Sequence, residues 1–220
     1  MMAADFPSSR RSRDVIDRVQ PGLRDELRQK GLPWGAPIFV RIFKEPKQLE
    51  VWMEVEGESR FRLFKTYEIC TFSGSLGPKL KEGDLQSPEG FYFVTPERMN
   101  PLSQFHLSFD LGYPNAYDRA RQSPGSAVMV HGSCVSIGCY AMTDAGIEEI
   151  FALADAALRA GQPFFRVHVF PFALTDEELR ERRDSSWWNF WENLKEGYDY
   201  FERARRPPNV RARAGRYVFD

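Results

Sequence analysis

No apolar run in this 220-residue chain approaches the roughly 20 residues that a membrane-spanning helix needs, so no transmembrane segment is expected. Neither charge is in excess: 30 lysines and arginines stand against 31 aspartates and glutamates, a formal net charge of -1. That balance removes the electrostatic reason to expect nucleic acid or an anionic membrane surface as a partner. Internal repeats and Cys-x-x-Cys pairs are absent, and the chain has only three histidines and three cysteines. A zinc site built from His131, Cys134 and Cys139 would lack a clear fourth ligand, so no metal and no other cofactor is expected. The opening residues, Met1-Met2-Ala3-Ala4 and then the polar Ser8-Ser9-Arg10-Arg11-Ser12-Arg13, lack the apolar core of an export signal, which taken alone favours the cytoplasm.

What is present is globular. A hydrophobic content of 42% with 14% aromatics is enough for one well-buried core. Residues 1–12 are polar and read as frayed. Val15, Ile16, Val19, Leu23 and Leu27 recur at near-helical spacing, predicting one or two short helices interrupted at Pro21. Alternation predicts strands over 38–43, 49–55 and 60–71, an antiparallel meander with a turn at 45–48. A long loop rich in glycine, proline and charge follows over 73–90, and loops of that length in compact domains are usually functional. Further strands are predicted over 91–95, 105–111, 127–130 and 164–172, with a helix capped at Thr143 or Asp144 and running to Gly161. Thr175-x-x-Glu178 is a capping-box pattern opening a charged helix. A final helix carries Trp187, Trp191, Leu194, Tyr198 and Phe201 on one stripe, which reads as packing, and 217–219 closes as a strand. The expected class is mostly β with peripheral helices, an α+β fold. A polar and helical segment over 1–35, a catalytic domain over 36–175 and a helical extension over 176–220 make up its parts.

The chemistry concentrates in residues 128–144. An apolar run ends in His131-Gly132, and Cys139 follows eight residues after the histidine. A thiol attacks acyl carbon as the thiolate, and a neighbouring imidazole is the commonest way to make one near neutral pH. On composition alone Cys139 reads as a buried, inert thiol, and His131 at a strand end tips it toward a nucleophile. Gly138 allows a sharp turn there, and the N–H of Cys139 with a neighbour is expected to face a developing oxyanion. Cys134 is the rival nucleophile but lacks the flanking glycine. Cys70 and Cys134 either pair in an oxidising compartment or stay as two buried thiols. His106 and His168 fall in alternating strands and read as structural. Lys79, Lys81, Tyr113 and Arg119 are candidates for binding substrate carboxylates.

Ser136-Ile137-Gly138-Cys139, eight residues downstream of the His131-Gly132 pair, resembles the signature of the L,D-transpeptidase (YkuD) catalytic-domain family. The fuller wording from His131 to Thr143 resembles the YafK branch of that family, as do Gly77-Pro78-Lys79, Gly83-Asp84, Ser87-Pro88-Glu89-Gly90 and Gly112 to Asp118. The similarity runs from about residue 36 to the end. Two departures stand out: Ile137 where many members have histidine, and Ala141 where many have arginine.

The resemblance implies a YkuD-like β-sandwich with a C-terminal helical extension. It implies Cys139 as nucleophile, His131 as base, the Gly132 carbonyl as the group that orients the imidazole, and Ser136, Gly138 and Tyr140 around the oxyanion and substrate. The implied partners are peptidoglycan stem peptides and peptidoglycan-linked lipoprotein. The implied location is the periplasm, reached by an export signal that this sequence does not show. Attack falls on the L-centre carbonyl of meso-diaminopimelate. Water resolving the thioester makes an amidase that detaches Braun-type lipoprotein. An amine resolving it makes an L,D-transpeptidase that forms 3-3 crosslinks or attaches lipoprotein. Two other readings remain: a catalytically silent peptidoglycan-binding module, motivated by Ala141, and an intracellular thiol enzyme.

Overall fold

The computed structural model describes residues 6–220. In chain order the elements are α1 (Arg10–Gln29), β1 (Ile38–Phe43), β2 (Gln48–Glu54), β3 (Phe61–Phe72), β4 (Gly90–Val94), β5 (Met99–Asn100), β6 (Ser108–Asp110) and α2 (Ala116–Ala120). There follow β7 (Met129–His131), β8 (Tyr140–Met142), α3 (Asp144–Arg159), β9 (Phe165–Phe170), α4 (Asp176–Glu181), α5 (Trp188–Ala204), β10 (Val210–Arg213) and β11 (Arg216–Phe219). Nine strands form one sheet in the order β4-β9-β1-β2-β3-β8-β7-β6-β5, and β10 pairs with β11 in a separate hairpin. The fold is α+β.

β1 is buried along its whole length because helices cover both faces. Ile38, Val40 and Ile42 join Ile147, Phe151 and Leu158 of α3 in the main core. On the other face Phe43 packs with Trp191, Leu194 and Tyr198 of α5, and Phe39 with Phe201. Arg41 lies in this apolar strand at 5% exposure. Its guanidinium is paired with Glu50 at 2.8 Å and Glu202 at 2.6 Å, which makes the burial tolerable. Wholly buried, Lys44 meets Glu89 at 3.0 Å and holds the 73–90 loop against the sheet by donating to the Ser75 and Gly77 carbonyls. Glu89 also accepts from the Gly77 amide and the Trp191 indole.

The twelve residues of β3 link the two halves of the sheet. Its early part pairs with β2 and its end with β8, where Ile69 faces Met142 and Thr71 faces Ala141. The register shifts between those two pairs, at Cys70, and such bulges bend a strand and re-aim its side chains.

The structure corrects several local expectations. α1 passes through Pro21 without a break. Its start is fixed by a reciprocal cap between Ser9 and Ser12, and the burial of Val15, Leu23 and Leu27 outweighs the one hydrogen bond that proline removes. Helix therefore begins inside the segment read as frayed, while residues 1–5 lie outside those described. The strand expected over 105–111 shrinks to Ser108–Asp110, and His106 sits in a bend at φ 67° with Nε2 2.8 Å from Glu148. His168 does lie in a strand, yet neither ring nitrogen has a hydrogen-bond partner among the described residues; Phe39, Phe91 and Phe170 surround it edge-on.

Candidate active site

β7 and β8 are parallel neighbours, Val130 facing Tyr140 and His131 facing Ala141. Only residues 132–139 return the chain from the end of one to the start of the other. So short a return demands unusual backbone, and Ser133, Cys134 and Gly138 take φ values of 69°, 50° and 134°. Gly138 suits the last of these because it has no Cβ. Gly132 is required by crowding: a Cβ there would lie 2.6 Å from Asp144 Oδ1. That same carboxylate oxygen accepts the Ser133 N–H at 2.7 Å, so the start of α3 grips the loop. Cys134 is joined to Cys70 in a disulfide that ties the loop to β3. This settles the pairing left open by the sequence and removes Cys134 as a rival nucleophile; Cys139 is the free cysteine.

His131 is 3% exposed, and its Nδ1 lies 2.6 Å from the Gly132 carbonyl oxygen. A carbonyl only accepts, so Nδ1 carries the proton and Nε2 keeps its lone pair. The Phe105 ring covers the imidazole at 4.7 Å between centroids. On β8 the register sets Cys139 one residue before Tyr140, beside Met129, whose N–H donates to Cys139 Sγ at 3.4 Å. His131 at the end of β7 and Cys139 just before β8 are thus offset by two residues, or roughly 6.6 Å, along the strand direction.

Burial pushes the Cys139 thiol above its ordinary value of 9.0; the Met129 N–H opposes this, Asp110 adds to it, and Lys79 opposes it. Burial lowers His131 below 6.5, against the opposing contact with the Gly132 carbonyl. Near neutral pH the pair is therefore a neutral thiol and a neutral imidazole. Such a pair works by general-base transfer as sulfur attacks, with no thiolate stored beforehand.

Three hydroxyls frame the Gly138–Cys139 peptide. Ser136 Oγ accepts the Cys139 N–H at 3.0 Å and donates to the Cys139 carbonyl at 2.7 Å. Ser73 Oγ accepts the Gly138 N–H at 2.8 Å, and Ser87 Oγ donates to the Cys139 carbonyl at 3.0 Å. The amides of Gly138 and Cys139 were expected to face an oxyanion, but the loop folds onto the end of β3 and both meet serine hydroxyls instead. Tyr140 is also corrected: its side chain is fully buried, and its hydroxyl donates to the Pro88 carbonyl at 2.7 Å, away from any substrate. Ser73 was missed because a lone serine after a strand carries no sequence signal, and Ser87, though part of the Ser87-Pro88-Glu89-Gly90 motif, was given no role because its partner lies 52 residues away.

A pocket of about 120 Å³ beside Cys139 is lined by Lys79, Glu82, Leu85, Val128 and Ile137. Lys79 is 7% exposed and ion-paired with Asp84. The other proposed carboxylate binders do not line it. Lys81 is exposed, Tyr113 is buried with its hydroxyl on the Ser123 carbonyl at 3.2 Å, and Arg119 donates to the Pro114 carbonyl. Ala141 is buried between His131 and Thr71, so the cation near Cys139 comes from the 73–90 loop. Among the described residues no three acidic, histidine or cysteine side chains gather to hold a metal, and no helix is long and apolar enough to cross a membrane.

The profile of the L,D-transpeptidase catalytic domain, YkuD, matches residues 46–169. The chain is 47% identical over 184 residues to the putative L,D-transpeptidase YafK of Escherichia coli K12, covering 84% of this chain and 74% of that protein, and the same figures hold for its O157:H7 counterpart. Among solved structures, the helical cell shape determining protein Pgp2 of Campylobacter jejuni, as its K307A mutant, superposes over 92% of this chain and 81% of its own. The TM-score is 0.49 and the identity 18%. On the profile match and the 47% identity, the chain belongs to the YkuD family of L,D-transpeptidase catalytic domains.

Proposed function

We propose that this chain is a periplasmic cysteine acyl-transfer enzyme that attacks the L-centre carbonyl of meso-diaminopimelate in peptidoglycan, as an amidase releasing covalently bound Braun-type lipoprotein. The observation that carries the reading is the Nδ1 contact of His131 with the Gly132 carbonyl, which leaves Nε2 as the base on the strand beside Cys139. Nε2 takes the thiol proton as Sγ bonds to the acyl carbon. The tetrahedral intermediate collapses to a thioester, and the departing amine takes the proton back from His131. Water then adds to the thioester with His131 again as base, and the stem carboxylate and the thiol are released. Lys79, in the pocket beside Cys139, exchanges its ion pair with Asp84 for a stem-peptide carboxylate.

A second reading has an amine of another stem resolve the thioester, giving a 3-3 crosslink; the similarity to the putative L,D-transpeptidase YafK favours it. The two differ only in the acyl acceptor. Mass spectrometry of products from lipoprotein-bearing sacculi separates them. Released lipoprotein with tripeptide stems, absent with Cys139→Ala, supports the amidase. New 3-3 crosslinks without release support the transpeptidase. No product with the wild-type protein removes both.

A further inference from the structure

β9 alternates, with Phe165, Val167 and Val169 in the main core and Arg166 and His168 on the opposite face. Over that face lies a cavity of about 420 Å³, walled by β4, β9, the start of α2 and the C-terminal hairpin. Neither Cys139 nor His131 lines it, and no role in the acyl-transfer reading uses it.

Its chemistry is specific. Phe93, 45% exposed, and Phe164 meet edge-to-face at 5.4 Å, with the Arg98 guanidinium over the Phe93 ring and that of Arg166 over Phe164. Arg166 and Arg211 line the cavity, and no aspartate or glutamate does. Arg211 is paired with Asp220 at 2.9 Å. Arg166 donates to Asn209 Oδ1 at 2.7 Å and meets no carboxylate among the described residues. His168 also lines the cavity, 1% exposed, with neither ring nitrogen partnered among the described residues. A buried polar group left unpaired costs free energy, so a ligand that brings a donor to it gains.

The geometry points to a binding site for an acidic sugar, a pyranose carrying a carboxylate, in the cavity between β9 and the C-terminal hairpin. The unneutralised Arg166 takes the carboxylate. The C–H face of the ring lies against the exposed Phe93, and a hydroxyl or amide N–H reaches toward His168. A polyphosphate fits less well, since one free guanidinium among aromatic walls offers too little positive charge. An aromatic acid would leave His168 unsatisfied. The inference stands apart from the reaction at Cys139.

The test titrates the full chain with N-acetylmuramic acid and, separately, with N-acetylglucosamine, which lacks only the lactyl ether bearing the carboxylate. Backbone amide shifts are followed. Saturable shifts at residues 164–168 and 209–212 with the acidic sugar are expected. The neutral sugar and Arg166→Gln should each bind about tenfold or more weakly, and Cys139→Ala should bind as the wild type does. Phe93→Ala, at an exposed position, should also weaken binding and guards against misfolding of the arginine variant. No saturable shift in that region, equal binding of the neutral sugar, or undiminished binding by a folded Arg166→Gln would each overturn the assignment.

Discussion

Ser87 Oγ donates to the carbonyl oxygen of Cys139 at 3.0 Å across 52 residues of sequence, and the Ser87 hydroxyl itself accepts the Ser73 N–H at 3.0 Å. One fully buried hydroxyl thereby links the candidate nucleophile to both ends of the 73–90 loop. Ser87→Ala leaves the Ser73 amide without its partner, a loss of about 1–3 kcal/mol of stability. It also frees Cys139 to drift, and a displacement of about 1 Å costs on the order of 100-fold in rate. The acylation rate, followed by mass spectrometry with a β-lactam acyl donor, should fall much further than chemical denaturation shows stability to fall. An unchanged rate would count against the positioning role.

The protonation states predict a pH profile. His131 must be neutral to accept the thiol proton, and its value lies below 6.5, so log kcat/KM should climb with unit slope on a limb below 6.5 and run flat through neutrality. The thiol is held above 9.0, so alkylation of Cys139 by iodoacetamide in the His131→Ala protein should accelerate only in alkaline solution. Fast alkylation of that variant at pH 6 would show a stored thiolate instead.

Lys44 and Glu89 form an ion pair with both side chains fully buried. Burial holds the Lys44 amine below 10.5 in spite of Glu89's attraction, the sign of a charge that is expensive to keep. Lys44→Met strands the carboxylate and should destabilise the fold by about 3–5 kcal/mol, while the double variant Lys44→Met/Glu89→Gln should recover much of that. Urea denaturation of the three proteins measures it. Equal stability of the single and double variants would exclude coupling.

Burial, with Arg166 and Arg41 nearby, holds His168 well below 6.5. Below pH 6.5 the unfolded chain therefore binds a proton that the native state refuses, and stability falls by about 1.4 kcal/mol per pH unit until the native value is reached. Asp118 acts with the opposite sign. Burial raises it to about 6 from 3.8, so the native state gains a proton and stability as pH falls through that window. His168→Phe should flatten the acid side of the stability profile, measured by thermal unfolding between pH 7 and 4. An unaltered profile would mean that His168 is protonated in the native state.

The Cys70–Cys134 disulfide closes 64 residues of chain, worth up to about 4 kcal/mol by loop entropy. It also anchors the loop between His131 and Cys139. The Cys70→Ser/Cys134→Ser protein should lose acylation activity even at temperatures where it remains folded. Full activity of the folded double variant would assign the bond to stability alone.

By itself the sequence determined whatever rests on local periodicity and local wording. The strands over 38–43, 48–54 and 165–170 were legible from their short apolar runs, and the helices after Thr143 and Thr175 from their capping residues. His131 and Cys139 were legible because both lie in one short segment. Only the tertiary structure decided the rest. β8 and α2 span three and five residues, too few to show a period. α1 crosses Pro21 because tertiary burial outweighs one lost hydrogen bond. The disulfide, the contact of Ser87 with the Cys139 carbonyl, and the loss of the Gly138 amide to Ser73 all join residues dozens of positions apart. Such contacts depend on which strands the sheet makes neighbours, and pairing order is a property of the whole fold that leaves no mark in any single stretch of chain.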